Sequence, residues 1–459
     1  MLFSTDPPSR FKFLAAGAIV VLISACGGGG GSSSGSTPPA NGGGTTPPPS
    51  GIVSPMGCGT VTSTGTGNTT PVVVDGFPCA VDGTAGIANS PQQPFISVKV
   101  CSPGSTTNCQ IIDHIILDTG STGLRIAASA LQSTLKPGAG LPYYTASSPN
   151  GTNLTECETY VASYVYGPVV NVDVYIADES AKGTQMQVFG VSGFPVPSDP
   201  NGCSTGAGTE TNSIVTFNGN GLLGVNFALF DGGVPYYDCA GATANCTPNI
   251  NPNFLGIPNI VSQFASNNNG VAISLPKLAT TESDTPVVGT LMFGIGTQQN
   301  NTPQSGTLAI QNDAGGTFAV QVDGGSWTSA YIDSGTGISF FADTQNKNLT
   351  VCPSSSNFTG WYCPTSTQSV TLNYANFGST STLGTTTLSV ANPNYLTGNS
   401  IAFNNVAGTN SSQNTINSEV ALGLTTFFGH TNYFLFAGKT APGTNLGGGT
   451  TAGPINGID

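Results

Sequence analysis

The chain has 459 residues, a net charge of −13 and only 7% charged residues. That length can bury a large core and favours two or more lobes over one. Lys and Arg number nine in all, too few for a surface that neutralises many phosphates, so nucleic acid is excluded as a partner. Clean helical periods are lacking, while short runs rich in Val, Ile, Thr, Tyr and Phe recur between clusters of Gly, Asn, Ser and Pro. The chain is therefore predicted to be mostly β.

Residues 1–25 read as an export signal. Arg10 and Lys12 precede an apolar stretch from Phe13 to Ile23 that is too short to span a bilayer. Ile23-Ser24-Ala25-Cys26 resembles a bacterial lipobox, which implies cleavage before Cys26 and lipid attachment there. A plain secretory signal with an incidental Cys26 is the other reading. Residues 26–57, almost all Gly, Ser, Thr and Pro, read as a tether that cannot pack a core. The expected location is the bacterial cell envelope, with a monomer anchored by lipid to the outer membrane, periplasmic or surface-facing. The lipid is its only expected membrane contact.

Eleven cysteines leave ten once Cys26 is set aside, an even number suited to an oxidising compartment. Pairing of neighbours would join Cys58 with Cys79, Cys101 with Cys109, Cys157 with Cys203, Cys239 with Cys246, and Cys352 with Cys363. Spacing alone leaves that connectivity open. Cys101 with Cys109 and Cys239 with Cys246 are the firmest pairs, since each closes one short loop. No C-x-x-C pair exists and the histidines are His114 and His430 alone, so neither a metal nor a cofactor is expected. His114 lies in the strand leading to Asp118 and His430 in an aromatic run. Read as structural, they leave a Ser or Cys nucleophile without its usual base.

Asp118-Thr119-Gly120-Ser121 follows the apolar run Ile115-Ile116-Leu117, and Asp333-Ser334-Gly335-Thr336 follows Ala330-Tyr331-Ile332. A hydrophobic strand that ends in Asp and breaks at Gly lifts a carboxylate onto a tight, hydroxyl-lined loop. One such match is weak, and the bland reading is an ordinary strand-to-turn exit. The repeat carries more. Leu222-Leu223-Gly224 places Gly224 at 224 − 118 = 106 positions past the first Asp, and Ala421-Leu422-Gly423 places Gly423 at 423 − 333 = 90 past the second. Similar order and spacing predict two versions of one lobe, divided here as residues 58–285 and 286–459. Two facing carboxylates cannot easily ionise together, so the pair keeps one proton and offers an acid beside a base.

This arrangement resembles the pepsin-like aspartic peptidases, over roughly residues 92 to 439. Gln187-Val188-Phe189-Gly190, Gly221-Leu222-Leu223-Gly224 and Gly289-Thr290-Leu291-Met292-Phe293-Gly294 match the family's strands in order, and Leu422-Gly423 with Phe427 and Phe436 match its C-terminal end. The resemblance implies a bilobal double β-barrel with an active-site cleft between two pseudo-symmetric lobes. It implies an aspartic-type endopeptidase acting on polypeptide, with Asp118 and Asp333 catalytic and Thr119, Ser121, Ser334 and Thr336 as supporting hydroxyls. Val165-Tyr166-Gly167 is similar to the tip of the family's flap hairpin, which makes Tyr166 and Gly167 substrate-binding candidates; a cross-strand aromatic is the plain reading of Tyr166. Arg125 stands where the family usually has the Trp that backs the flap tyrosine, and is read as a solvated strand residue. Pro168 removes a backbone donor just after the flap Gly. The chain also looks like an uncharacterised family of bacterial envelope lipoproteins. The alternatives are a non-catalytic pepsin-fold binding or structural lipoprotein and a disulfide-rich adhesin without a cleft.

Overall fold

Short runs of β-branched and aromatic residues, broken by glycine, fold as strands along the chain. The computed structural model describes residues 52–53, 64–76, 92–146, 151–160, 163–194, 203, 209–232, 234–240, 246–343, 345, 349–396, 400–410 and 419–459. The export signal, Cys26, nearly all of the tether, and Cys58 and Cys79 lie outside the described residues. Among those residues the α-helical content is one turn, Ile214–Phe217, and no helix is long and apolar enough to cross a membrane. The strands form a 17-stranded sheet, a seven-stranded sheet and a two-stranded pair. This is the mostly β, bilobal pepsin-like architecture that the resemblance implies.

In the first half β1 (Thr69–Asp75), β2 (Gln93–Cys101) and β3 (Cys109–Asp118) run antiparallel to one another in turn. β3 is buried over nearly its whole length, its apolar residues broken by the buried Asp113 and His114. β4 (Thr122–Ala127) follows the first Asp loop. β5 (Asn153–Thr159) and β6 (Ser163–Ile176) make a hairpin, which β7 (Glu179–Phe189) extends. β8 (Gly221–Val225) then lies between the two strands that flank the Asp loop. It runs parallel to β3 with Gly224 opposite Asp118, and antiparallel to β4 with Gly224 opposite Gly123. β9 (Tyr236–Cys239) covers the other edge of β5.

β10 (Gly270–Ser274) closes the first half, and β11 (Val287–Phe293) and β12 (Leu308–Gln311) open the second. Its own sheet holds β13 (Phe318–Val322), β14 (Trp327–Ile332), β15 (Ser339–Phe340), β16 (Gln368–Ala375), β17 (Gly384–Val390) and β18 (Val420–Leu422). β18 repeats the role of β8: it runs parallel to β14, which leads to Asp333, and antiparallel to β15 beyond the loop. β16 and β17 alternate buried and more exposed residues, the pattern of a sheet with one wet face.

Chain continuity does not by itself join the halves; a hydrogen-bonded ladder does. β11 pairs with β1, β10 pairs with both β11 and β19 (Thr431–Leu435), and β20 (Ile455–Ile458) links β19 to β12. One hydrophobic cluster follows the ladder through both halves, from Val72 and Leu117 to Phe341 and Leu422. Each such buried side chain contributes about 1.5–3 kcal/mol of transfer free energy. Disulfides join Cys101 to Cys109, Cys157 to Cys203, Cys239 to Cys246 and Cys352 to Cys363.

Candidate active site

The two Asp loops meet at the seam between the halves. Both carboxylates are fully buried, and the loops are so close that each glycine faces the opposite acid. A Cβ on Gly335 would sit 2.7 Å from Asp118 Oδ1, and one on Gly120 would sit 2.9 Å from Asp333 Oδ1. Each carboxyl thus lies within reach of the other's charge. Gly224 and Gly423 make this possible from behind. A Cβ there would lie 2.5 Å from the Ser121 carbonyl carbon and 2.6 Å from the Thr336 carbonyl oxygen, so β8 and β18 approach the loops only as glycine.

The polar contacts that hold the two carboxylates are matched between the loops. Gly120 N donates to Asp118 Oδ1 at 2.7 Å and Gly335 N to Asp333 Oδ1 at 2.8 Å. Ser121 Oγ donates to Asp118 Oδ2 at 2.5 Å, and Thr336 Oγ1 to Asp333 Oδ2 at 2.6 Å. Across the seam, Thr119 N donates to Ser334 Oγ at 3.1 Å and Ser334 N to Thr119 Oγ1 at 2.9 Å. Those hydroxyls pass their own protons onward, Thr119 to the Ile332 carbonyl at 3.1 Å and Ser334 to the Leu117 carbonyl at 2.7 Å. The four hydroxyls therefore hold both carboxylates against rotation and lock the loops together. Burial pushes the Asp333 carboxyl well above its ordinary value, and the charge and hydrogen bond of Asp118 push it further, against the donors Thr336 and Gly335. Such a pair holds a proton that either acid alone would release.

The hairpin expected to cover this centre is present with a different tip. Tyr166 and Gly167 lie within the ladder, opposite Cys157 and Glu156, and the chain reverses between Thr159 and Ser163, where Tyr160 N donates to the Ser163 carbonyl at 2.7 Å. Gly167 is an in-strand glycine required by a close neighbour: a Cβ there would fall 2.1 Å from the Val188 carbonyl oxygen. Tyr166 is buried among Cys157, Tyr164, Cys203, Tyr237 and Cys239, with its hydroxyl 2.8 Å from Thr155 Oγ1. It is the cross-strand aromatic, and Val165-Tyr166-Gly167 is not the tip. Tyr160 follows β5 at the end of the hairpin, buried and packed 5.9 Å from the Phe217 ring, with no hydrogen-bond partner for its hydroxyl among the described residues. Burial raises its pKa far above the ordinary value, and Arg125, Glu158 and Asp118 all act on it electrostatically.

Arg125 is not a solvated strand residue. It is fully buried, and its Nη2 contacts Glu156, Glu158 and Asp231. Sequence reasoning passed over those acids and Tyr160. The signal was the alternation Glu156, Glu158, Tyr160, which puts three ionisable groups on one face of a strand. His114 is structural as read: its ring lies 3.0 Å from Asp113 and 3.5 Å from Asp75, all fully buried.

Comparison with known proteins gives a family and a solved structure to which the chain is similar. The family described as "Protein of unknown function (DUF3443)" matches residues 65–453. No curated protein matches the chain. Among solved structures, the chain is similar to the aspartic proteinase from Irpex lacteus at 14% identity and a TM-score of 0.47, over 85% of this chain and 96% of that one.

Proposed function

The chain belongs to the DUF3443 family of unknown function, and we propose that it is an aspartic-type endopeptidase that hydrolyses polypeptide with water activated by Asp118 and Asp333. The observation that carries this reading is the two-fold set of contacts around two buried carboxylates whose loops face each other. The pair retains one proton; in the step written here Asp333 carries it and Asp118 acts as the base. A water between them gives a proton to Asp118 as its oxygen attacks the peptide carbonyl carbon, and Asp333 donates to the carbonyl oxygen. Collapse of the resulting diol breaks the C–N bond. The nitrogen takes the proton from Asp118, and Asp333 recovers one from the diol. No covalent intermediate forms and neither a cofactor nor a metal is invoked.

We further place the protein, as a monomer, in the bacterial cell envelope, held by lipid on Cys26 and a tether ending near residue 57. Four disulfides support an oxidising compartment.

Incubation of the purified chain with a denatured protein over a pH series tests the activity. Wild type is expected to cut best in acid, to lose activity as pH rises through the Asp333 value, and to be blocked by a pepstatin-type inhibitor. Asp118→Asn and Asp333→Asn should each lower the rate by roughly 10²–10⁴ or more. Equal cleavage by wild type and variants would remove the dyad as catalyst, and no cleavage by any of them would favour a non-catalytic binding protein.

A further inference from the structure

One cation faces three acids behind the dyad. Arg125 Nη2 on β4 donates to Glu156 at 2.7 Å, pairs with Glu158 at 3.2 Å and meets Asp231, while Nη1 donates to the Thr122 carbonyl at 2.8 Å. The acids come from different elements: Glu156 and Glu158 lie on β5, the first strand of the hairpin, and Asp231 follows β8. Their carboxylate oxygens lie within 4.8 Å of one another, a convergence suited to a cation, and the guanidinium fills that role. Tyr236 of β9 donates to Glu156 Oε1 at 3.0 Å, and Gln187 of β7 donates to the Glu156 carbonyl at 2.7 Å. Asp118 on β3 and Tyr160 at the hairpin's end complete the ionisable groups whose charges act on the cluster.

Three ionised carboxylates against one guanidinium would leave a buried excess of negative charge, which a low-dielectric site opposes. The compact arrangement is therefore favoured when the cluster carries protons. Burial raises Glu158 well above its ordinary value and Asp231 to about 8; neighbouring acids add to both shifts and Arg125 opposes them.

We propose that Arg125, Glu156, Glu158 and Asp231 are positioning residues, a proton-loaded latch that clamps the β5–β6 hairpin and Tyr160 against the dyad strand in acid and loosens as the cluster loses protons. The sign follows from linkage. Acids whose folded values are raised contribute stability that is fully present below the unfolded value, about 4, and is lost as pH rises through the folded values, for Asp231 about 8. The consequence for turnover rests on the peptidase reading, whereas the latch itself does not.

Amide hydrogen exchange on the full chain, corrected for intrinsic pH dependence, tests it between about pH 4.5 and 7.5. In wild type the opening constant of β5 and β6 is expected to rise with pH, up to about tenfold per unit for each excess proton held by the closed form. β16 and β17, which contain no carboxylate, should stay level. Glu158→Gln and Asp231→Asn should each lower the slope and their combination should flatten it; if the double variant does not fold, the single variants decide. Hairpin protection in wild type that ignores pH, or a slope undiminished in both single variants, overturns the latch. A slope without any peptide cleavage supports the latch and removes the peptidase reading, and cleavage with no slope does the reverse.

Discussion

Gly335 lacks a side chain because the Asp118 carboxylate lies where one would go, and Gly120 stands in the same relation to Asp333. These contacts are the residue-level reason that the loops can face each other. Gly335→Ala drives a methyl group into Asp118 Oδ1 in a fully packed seam. The expected cost is on the order of 1–3 kcal/mol, read as a lower denaturation midpoint, together with loss of cleavage. An alanine variant as stable and as active as wild type would mean that the loops do not meet so closely.

Among the elements, β3 does two jobs, because a bulge lets one strand carry both a buried ion cluster and the first catalytic candidate. The β2–β3 register shifts between Ile96 and Val98, so Asp113 and His114 together stand opposite Ser97, and His114 adopts φ 49°. Burial lowers the imidazole's proton affinity, yet hydrogen bonds and charge from Asp113 and Asp75 outweigh it, and the pKa is raised above 6.5. His114→Asn tests this, since Asn tolerates left-handed backbone without a charge. The stability advantage of wild type should be full below about pH 6.5 and should shrink as pH rises through the raised value, as followed by melting temperature. A pH-independent difference would mean that the ring is neutral throughout.

The elements also divide into those that the sequence makes legible and those that it does not. Each Asp loop announces itself locally, as an apolar strand that ends in Asp and breaks at Gly, and Leu-Leu-Gly and Ala-Leu-Gly mark β8 and β18 because only glycine fits behind the loops. The hairpin tip deceived because Gly167 looks like a turn residue, whereas the close carbonyl of Val188, on a neighbouring strand, is what demands glycine there. Arg125 looked solvated because its partners are remote, Glu156 at 31 positions and Asp231 at 106. No local pattern announces a pair so far apart along the chain.

Across the whole molecule, ladder and charge point the same way. β11 on β1, and β10 between β11 and β19, make the seam continuous sheet, so two loops more than 200 positions apart are fixed on one scaffold. Asp333, Glu158 and Asp231 hold protons more tightly folded than unfolded, and so does His114. Each of these groups stabilises the molecule in acid and loses that contribution as pH rises. With nine Lys and Arg and two His in the whole sequence, positive self-repulsion at low pH stays modest.

The claim beneath all of this is that two buried acids divide one proton, and carbon-13 spectra of chain labelled at the aspartate carboxyls read it directly. Subtracting the Asp333→Asn spectrum from that of wild type leaves the signals of the pair, Asp333 and the Asp118 coupled to it. The account predicts that a carboxyl signal of the pair moves to the carboxylate position only at a pH well above that at which an ordinary aspartate ionises, about 4. Signals of the pair that have both moved to the carboxylate position by about pH 5, titrating as free aspartate does, would contradict it.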